Sequence, residues 1–351
     1  MKPIHSAQLR IELTRRCRDV GFTRIRFASV DGAPGITEYD RFLARGHHGD
    51  MSWMVRSRPP RANPKTLMND AKTIMVLGID YWHPRPPKPS NLHGRVSRYA
   101  WGRDYHNLIG KRLNRLSREW RAAYPGLNVY FGVDSRPFIE RSWAEKSGLG
   151  FIGKNSMVIS QGESSYFFLA MVMLNVELPV DQPINRDHCG RCTRCLTGCP
   201  TDAFVGPYQL DARQCISYWT IEKKGVLPRH QTVQMGDWFF GCDDCQEVCP
   251  HNHHPTRSLE ADLAPRPHNA WVDLTWLLSA SDDEILRHFE GTPLRRAGPL
   301  KLRRNALVVL GNSGERAALP ILEAYTENPH QTLAAHARWA LVRCHQLIQR
   351  T

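Results

Sequence analysis

No stretch of this chain is apolar for long enough to span a bilayer, which excludes a membrane-crossing helix and predicts a soluble protein. Met1 to Gln8 has no apolar signal core, so the chain is expected in the reducing cytoplasm, where cysteines do not pair as disulfides. Acidic residues are scarce: 34 stand against 47 lysines and arginines, a formal net charge of +13. That balance is unusual for an enzyme of small neutral metabolites. A basic surface draws polyanions by releasing their counterions, so nucleic acid is the first partner to consider. An acidic redox partner, an anionic cofactor or mere solubility is the alternative. At 351 residues the chain has room for two or three domains and a substantial core.

The positive charge is concentrated. Six basic residues lie between Arg41 and Lys65 against Asp50 alone, and ten between Arg85 and Arg121 against Asp104 and Glu119. The tail from Gly291 to Thr351 carries nine against three glutamates. Tyr99, Trp101, Tyr105 and His106 are interleaved with the middle group, a mixture able to grip phosphate while stacking on flat rings.

Cysteine is the informative residue. Cys189, Cys192, Cys195 and Cys199, followed by Pro200, form the C-x2-C-x2-C-x3-C-P run of two-cluster ferredoxins. Cys242, Cys245 and Cys249, followed by Pro250, repeat it without a first cysteine, and Cys215 is the obvious substitute. The fourth cysteine of such a run ligates the other cluster. One 4Fe-4S cluster is therefore expected on Cys189, Cys192, Cys195 and Cys249, and the second on Cys199, Cys215, Cys242 and Cys245. A zinc ribbon needs only two C-x2-C pairs and leaves the x3-C-P extensions without a use. Cys17 and Cys344 fall in helix-like stretches and read as packing residues.

Periodicity predicts a helix over 7–20, a strand over 23–29, a buried strand over 73–81, a helix over 107–124 and a strand over 128–133 that delivers Asp134. A helix over 138–146 follows, then a glycine-rich turn at 148–153. The segments 157–160 and 166–176 read as a hairpin. Residues 181–255 carry the cluster loops. The tail reads as three helices, the first broken at Gly311–Gly314, in a HEAT-like arrangement.

Beyond these patterns, RYAWGRDYH (98–106), VDSRPFIERSWAEKSGLGFIGKNSMVIS (133–160), the cysteine runs, CISYWTIE (215–222) and LRRNALVVLGN (302–312) resemble the epoxyqueuosine reductases. The resemblance covers nearly the whole chain in order, except that longer members carry further helical repeats at the C-terminus. It implies an α+β architecture. Residues 1–180 would form a mixed α/β cobalamin-binding catalytic domain like reductive dehalogenase and nitroreductase cores. Residues 181–255 would form a ferredoxin-like two-cluster domain, and 256–351 a linker with HEAT-like helices. The implied activity is reduction of the epoxide of epoxyqueuosine to queuosine at the wobble position of a tRNA, with electrons passing through both clusters to cobalamin.

On the same resemblance, Asp134 is the proton donor; the residue-level alternative is that it caps the helix starting near Phe138. Acid catalysis near neutral pH calls for a carboxyl raised by desolvation. Cobalamin contacts are expected from Arg61, Ser97, Asp134, Arg141, Lys154, Asn155, Val158 and Ser217. The chain has no D-x-H-x-x-G motif, so His83, His93, His106 and His188 are not expected on cobalt. Lys223, Lys224, Arg295, Arg296, Lys301, Arg303, Arg304 and Asn305 are candidates for gripping tRNA, the last three on an exposed helix face. An electron-donating reductase, ferredoxin or flavodoxin is the expected partner, and a monomer the expected state. Two competing readings are a ferredoxin-type electron carrier and a cobalamin reductive dehalogenase. The latter are typically exported, whereas Arg15-Arg16 here leads into no apolar core. A third, an iron–sulfur nucleic-acid binder without catalysis, leaves Asp134 unexplained.

Overall fold

The computed structural model describes residues 5–160, 162–184 and 188–350. The strand over 73–81 is the anchor of its first half. Every position of β2 (Thr73–Asp80) is buried, because both faces of the strand are covered. Met75, Leu77 and Ile79 face a layer formed by Leu9, Leu13 and Cys17 of the helix Ser6–Asp19 and by Leu113, Leu116 and Trp120 of the helix Tyr105–Ala123. Ile74 and Val76 face the other way, onto Trp143 and Ala144 of the helix Glu140–Lys146. This period-two division of a continuous apolar run is what a doubly covered strand requires.

Around β2 lies a four-stranded sheet in the order β1 (Arg24–Ser29), β2, β7 (Phe167–Leu174), β4 (Val129–Gly132), antiparallel throughout. The hairpin expected between 157–160 and 166–176 is not formed. The short strand β6 (Val158–Ile159) pairs instead with β5 (Phe151–Ile152), while β7 enters the sheet with Leu174 opposite Thr73 and Val129. The sequence FFLAMVML is apolar at every position, so it is stabilised by a central place between two strands, which a two-residue partner cannot provide.

A second, three-stranded sheet crosses the expected domain limits. Its middle strand, β3 (His93–Val96), runs parallel to β10 (Trp238–Phe240) of the cluster segment and antiparallel to β11 (Trp271–Asp273) of the following segment. A small separate ribbon pairs β8 (Phe204–Gly206) with β9 (Gln209–Leu210).

The tail helices are Pro299–Ser313, Leu319–Thr326 and Gln331–Ile348. The first is not broken at Gly311. Gly311 lies inside the helix and lets the last helix pack close, since a Cβ there would lie 2.6 Å from the Ala340 Cα. The helix ends at Gly314, in the left-handed region at φ 66°. Cys17 and Cys344 are fully buried packing residues. Among the described residues no helix is long and apolar enough to cross a membrane.

Two buried polar residues fasten the tail. Arg304 is 1 % exposed and donates to the carbonyls of Trp219, Lys223 and Gly225 at the end of the helix Ile216–Ile221, where a cation meets the negative pole of the helix. His336 accepts from the Leu227 amide at 3.1 Å, and its Nδ1 lies 2.6 Å from the Thr332 carbonyl. Replacing Arg304 by Met leaves those carbonyls buried and unpaired, so a loss of about 3 kcal/mol is expected; an unchanged thermal midpoint would contradict this role. Burial pushes the His336 pKa down to about 4. The unfolded chain then binds a proton that the folded protein refuses, so stability is lost as pH falls from 6.5 toward 4. At pH 5 the loss is about 2 kcal/mol. Thermal melts at pH 7.5 and 5 are expected to differ less in His336→Gln than in the parent chain.

Candidate active site

Asp134 stands just past the end of β4, at φ 49°, a left-handed backbone that aspartate tolerates better than most residues. Its amide donates to Glu140 Oε1 at 2.8 Å, which fixes the turn from below. The helix cap expected of Asp134 is not made: that helix begins at Glu140, its cap residue is Ile139, and no side chain caps it. The Asp134 carboxylate is free to face an open cleft of about 360 Å³, whose walls include Trp53, Arg61, His106, Arg136 and Pro137.

Two neighbours in the motif RYAWGRDYH hold that carboxylate. The Tyr105 hydroxyl donates to Oδ2 at 2.6 Å, and His106 Nε2 lies 3.1 Å from the same oxygen. Asp104 caps the helix Tyr105–Ala123 by accepting the His106 amide. This puts Tyr105 and His106 in the first turn, one stacked on the other with ring centres 4.0 Å apart. Tyr105 stacks in turn on Phe168 of β7, at 4.1 Å and 9°. The imidazole's Nδ1 meets Asp104 Oδ1 at 2.7 Å, and Arg296 Nε donates to Asp104 Oδ2 at 2.7 Å.

Titration here departs from the expectation of a raised Asp134. Burial pushes its pKa up, but the hydrogen bonds from His106 and Tyr105 outweigh this and hold it below the ordinary carboxylate value. The carboxyl that is raised is Glu140, to about 8, by burial and by the neighbouring Asp134 charge. Two adjacent carboxyls with pKa values driven apart are a signature of acid–base chemistry. Tyr105, His106 and Glu140 were not singled out as catalytic from sequence. The signal for the first two is the Asp cap immediately before them.

The eight cluster cysteines fall into two groups. After burial, the influences raising the Cys195 thiol are Cys249, Cys189 and Cys192; those on Cys249 include Cys189 and Cys192. Cys245 feels Cys215 and Cys199 first among its thiol neighbours, and Cys242 feels Cys245 and Cys215. An array of buried and half-buried thiols that repel each other's charge suits a ligand set that binds as thiolates and is neutralised by metal.

The expected cofactor contacts divide. Arg61 and Arg141 lie near Asp134: Arg61 lines the cleft and donates to the Phe138 carbonyl, and Arg141 donates to the Ser156 carbonyl at 2.6 Å. Lys154 and Asn155 serve the cluster loops, through the carbonyls of Gly190 (2.6 Å) and Cys245 (3.2 Å). Ser217 is half-buried on the helix after Cys215. The Ser97 hydroxyl is buried against Asp243, and the Val158 side chain packs in the core with Trp143.

The tRNA candidates divide as well. Lys224 is exposed; Arg295 and Arg296 are about half exposed; Lys223 pairs with Asp50 at 3.2 Å. Lys301 donates to the Ile221 carbonyl. The exposed face expected at Arg303, Arg304 and Asn305 is corrected. Arg303 is 13 % exposed and held by Asp282 and the Ala280 carbonyl. Arg304 is buried as described, and Asn305 is fully buried, donating to the Thr220 and Phe239 carbonyls. Arg304 and Asn305 sit where the tail docks on the cluster segment, and Arg303 holds the tail to the segment before it.

Comparison with known proteins agrees with this arrangement. Residues 61–135 match the family described as "Epoxyqueuosine reductase QueG, DUF1730", and residues 188–252 match "4Fe-4S double cluster binding domain". The epoxyqueuosine reductase of Pseudomonas aeruginosa is 39 % identical over 98 % of this chain and 96 % of its own. A crystal structure of epoxyqueuosine reductase with a tRNA-Tyr epoxyqueuosine-modified stem loop matches with a TM-score of 0.88 at 29 % identity, covering 98 % of this chain and 94 % of that one. A Bacillus subtilis epoxyqueuosine reductase with its catalytic loop swung out of the active site matches at 0.87, also at 29 %, over 98 % and 95 %. With such identity over nearly its full length, the chain belongs to the epoxyqueuosine reductase family.

Proposed function

We propose that this protein reduces the epoxide of epoxyqueuosine in a tRNA anticodon loop to queuosine, with Asp134 as the proton donor. The observation that carries the reading is the Asp134 carboxylate, held by Tyr105 and His106 at the mouth of a cleft in a chain that also carries a two-cluster cysteine set. A plain electron carrier has no use for such an acid. A dehalogenase of small neutral molecules has no use for the +13 charge.

Deoxygenating an epoxide consumes two electrons and two protons and releases water. The clusters fit the two cysteine groups, Cys189, Cys192, Cys195 and Cys249 on one side and Cys199, Cys215, Cys242 and Cys245 on the other. Cobalamin, too large for a cleft of about 360 Å³, would meet its lining along one side: Trp53, 42 % exposed, would offer an apolar face, while Arg61 and Arg141 would offer donors to a periphery rich in amides. Lys154, Asn155 and Ser217 are the further contacts. When bound, these groups supply low-potential electrons from a reductase, ferredoxin or flavodoxin. The chain's own work is to hold the anticodon loop, exclude water and deliver protons from Asp134. Lys223, Lys224, Arg295 and Arg296 are the residues assigned to tRNA phosphates. Arg296, bonded to Asp104, sets that basic group beside the acid. The division into residues 1–180, 181–255 and 256–351, a HEAT-like character for the tail, a monomeric state and a cytoplasmic setting complete the reading.

Asp134→Asn is expected to bind cob(II)alamin and an epoxyqueuosine-bearing stem loop normally while turnover falls by about 10²-fold or more; turnover near that of the parent chain would sink the assignment. Cys215→Ala, anaerobically reconstituted, is expected to hold about half the parent's iron. Full iron content would show that Cys215 is not a ligand.

A further inference from the structure

Water release needs two protons at one oxygen, and a single carboxyl delivers one. The source of the second is therefore a structural question about what touches Asp134. Three groups do. The Tyr105 hydroxyl is raised well above its ordinary value by burial and by the Asp134 charge, so it keeps its proton. Glu140 meets Asp134 only through a main-chain amide, which relays no proton between the carboxyls. His106 meets the carboxylate itself, and it is the one of the three with a second titratable contact behind it.

Its hydrogen bond to a second carboxylate, Asp104, decides the protonation state. Asp104 is held down to about 2, by its hydrogen bonds from His106 and Arg296 working against burial, and stays a carboxylate. With carboxylates on both ring nitrogens, at 2.7 and 3.1 Å, the imidazole must donate from both, which makes it an imidazolium. If Asp134 carries the proton instead, neutral His106 accepts from it at Nε2 while Nδ1–H stays on Asp104. The two residues share one proton across one hydrogen bond.

We propose, building on the reading above, that His106 is the positioning and relay partner of Asp134, returning a proton to it after the first transfer, and that Asp104 and Arg296 hold the imidazole in place for this. In the first step the Asp134 carboxyl gives its proton to the oxygen as the carbon–oxygen bond is reduced. In the second, the neutral imidazole left behind takes a proton from solvent at Nε2 and passes it to the Asp134 carboxylate, and Asp134 protonates the same oxygen again, releasing water. Both electrons come from the protein donor by way of the bound redox groups. His106, with 17 % of its side chain exposed, recovers its proton from solvent.

The groups facing this pair are Asp104, Tyr105 and Arg296, and, on the Asp134 side, Glu140, Arg141, Arg61, Tyr99 and Glu222. Burial disfavours the imidazolium, but the bonds to Asp104 and Asp134 raise its pKa above the ordinary value overall. The sign follows: the relay is loaded at low pH and is lost as pH rises through that elevated pKa.

The test uses the cluster- and cobalamin-loaded enzyme with an epoxyqueuosine-bearing stem loop, assayed from acid to alkaline pH. In His106→Gln, kcat is expected to fall about 10²-fold while KM stays the same, and the alkaline fall in kcat is expected to disappear. Added imidazole should partly restore kcat in His106→Ala. Asp104→Asn keeps a capping oxygen but loses the charge, and should move the alkaline fall to lower pH. A His106→Gln enzyme within threefold of the parent kcat, or one whose loss lies in KM with the pH profile unmoved, overturns the relay. If the parent enzyme makes no queuosine at any pH, the proposed function fails and takes the relay with it, which separates the two failures.

Discussion

A buried carboxylate ties the cysteine-bearing loop to the segment that holds Asp134. Asp243 lies between Cys242 and Cys245 with its side chain 1 % exposed, and it accepts from the Ser97 hydroxyl, the Arg98 amide at 2.9 Å, and the guanidiniums of Arg98 and Arg85. A carboxylate in that position costs several kcal/mol unless it is paired and hydrogen-bonded. The pairing fixes the start of the segment 97–106 against the cluster loop, and Gly241 allows it, since a Cβ there would meet the Ser97 Cβ at 2.5 Å. At the other end of the same ten residues, Tyr105 and His106 hold Asp134. One short stretch of chain thus links the cysteine-bearing loop to the Asp134 cleft.

The rest of the structure keeps that stretch rigid. β3 lies just before it and pairs with both β10 and β11, so the strand leading into the segment is bound on both edges. Arg103 reaches Asp262 at 3.1 Å and Asp104 reaches Arg296, which ties the middle of the segment to the C-terminal third. Arg85, Arg95 and Arg98 share Asp243, Asp244 and Glu247, and lie over Trp101, Trp238 and Tyr166. Much of the basic charge between Arg85 and Arg121 is therefore spent inside the protein. The charge left for a polyanion is at residues such as Lys224, Arg295 and Arg296.

What was legible in the sequence was whatever local spacing encodes. The two cysteine runs, the doubly buried strand of β2 and the tail helices could be read from period and motif. Asp134 could be placed at a strand end, but its partners could not, because the contact with His106 spans 28 residues and is made by the sheet. Strand order was not legible either: Val158–Ile159 and β7 are neighbours in sequence, yet β7 is drawn into the sheet centre by its apolar faces. Arg304 and Asn305 look like an exposed basic face in sequence because helical period gives no hint that carbonyls of another segment await them. Buried polar residues are where composition misleads most.

The central claim is that electrons and protons meet on one oxygen in the Asp134 cleft. The most direct measurement is to incubate the anaerobically reconstituted protein with reductant, cobalamin and epoxyqueuosine-bearing tRNA, digest the RNA and weigh the nucleosides. The account predicts the loss of one oxygen from the modified base, abolished when either cobalamin or the clusters are omitted. An unchanged nucleoside mass with both bound would contradict it.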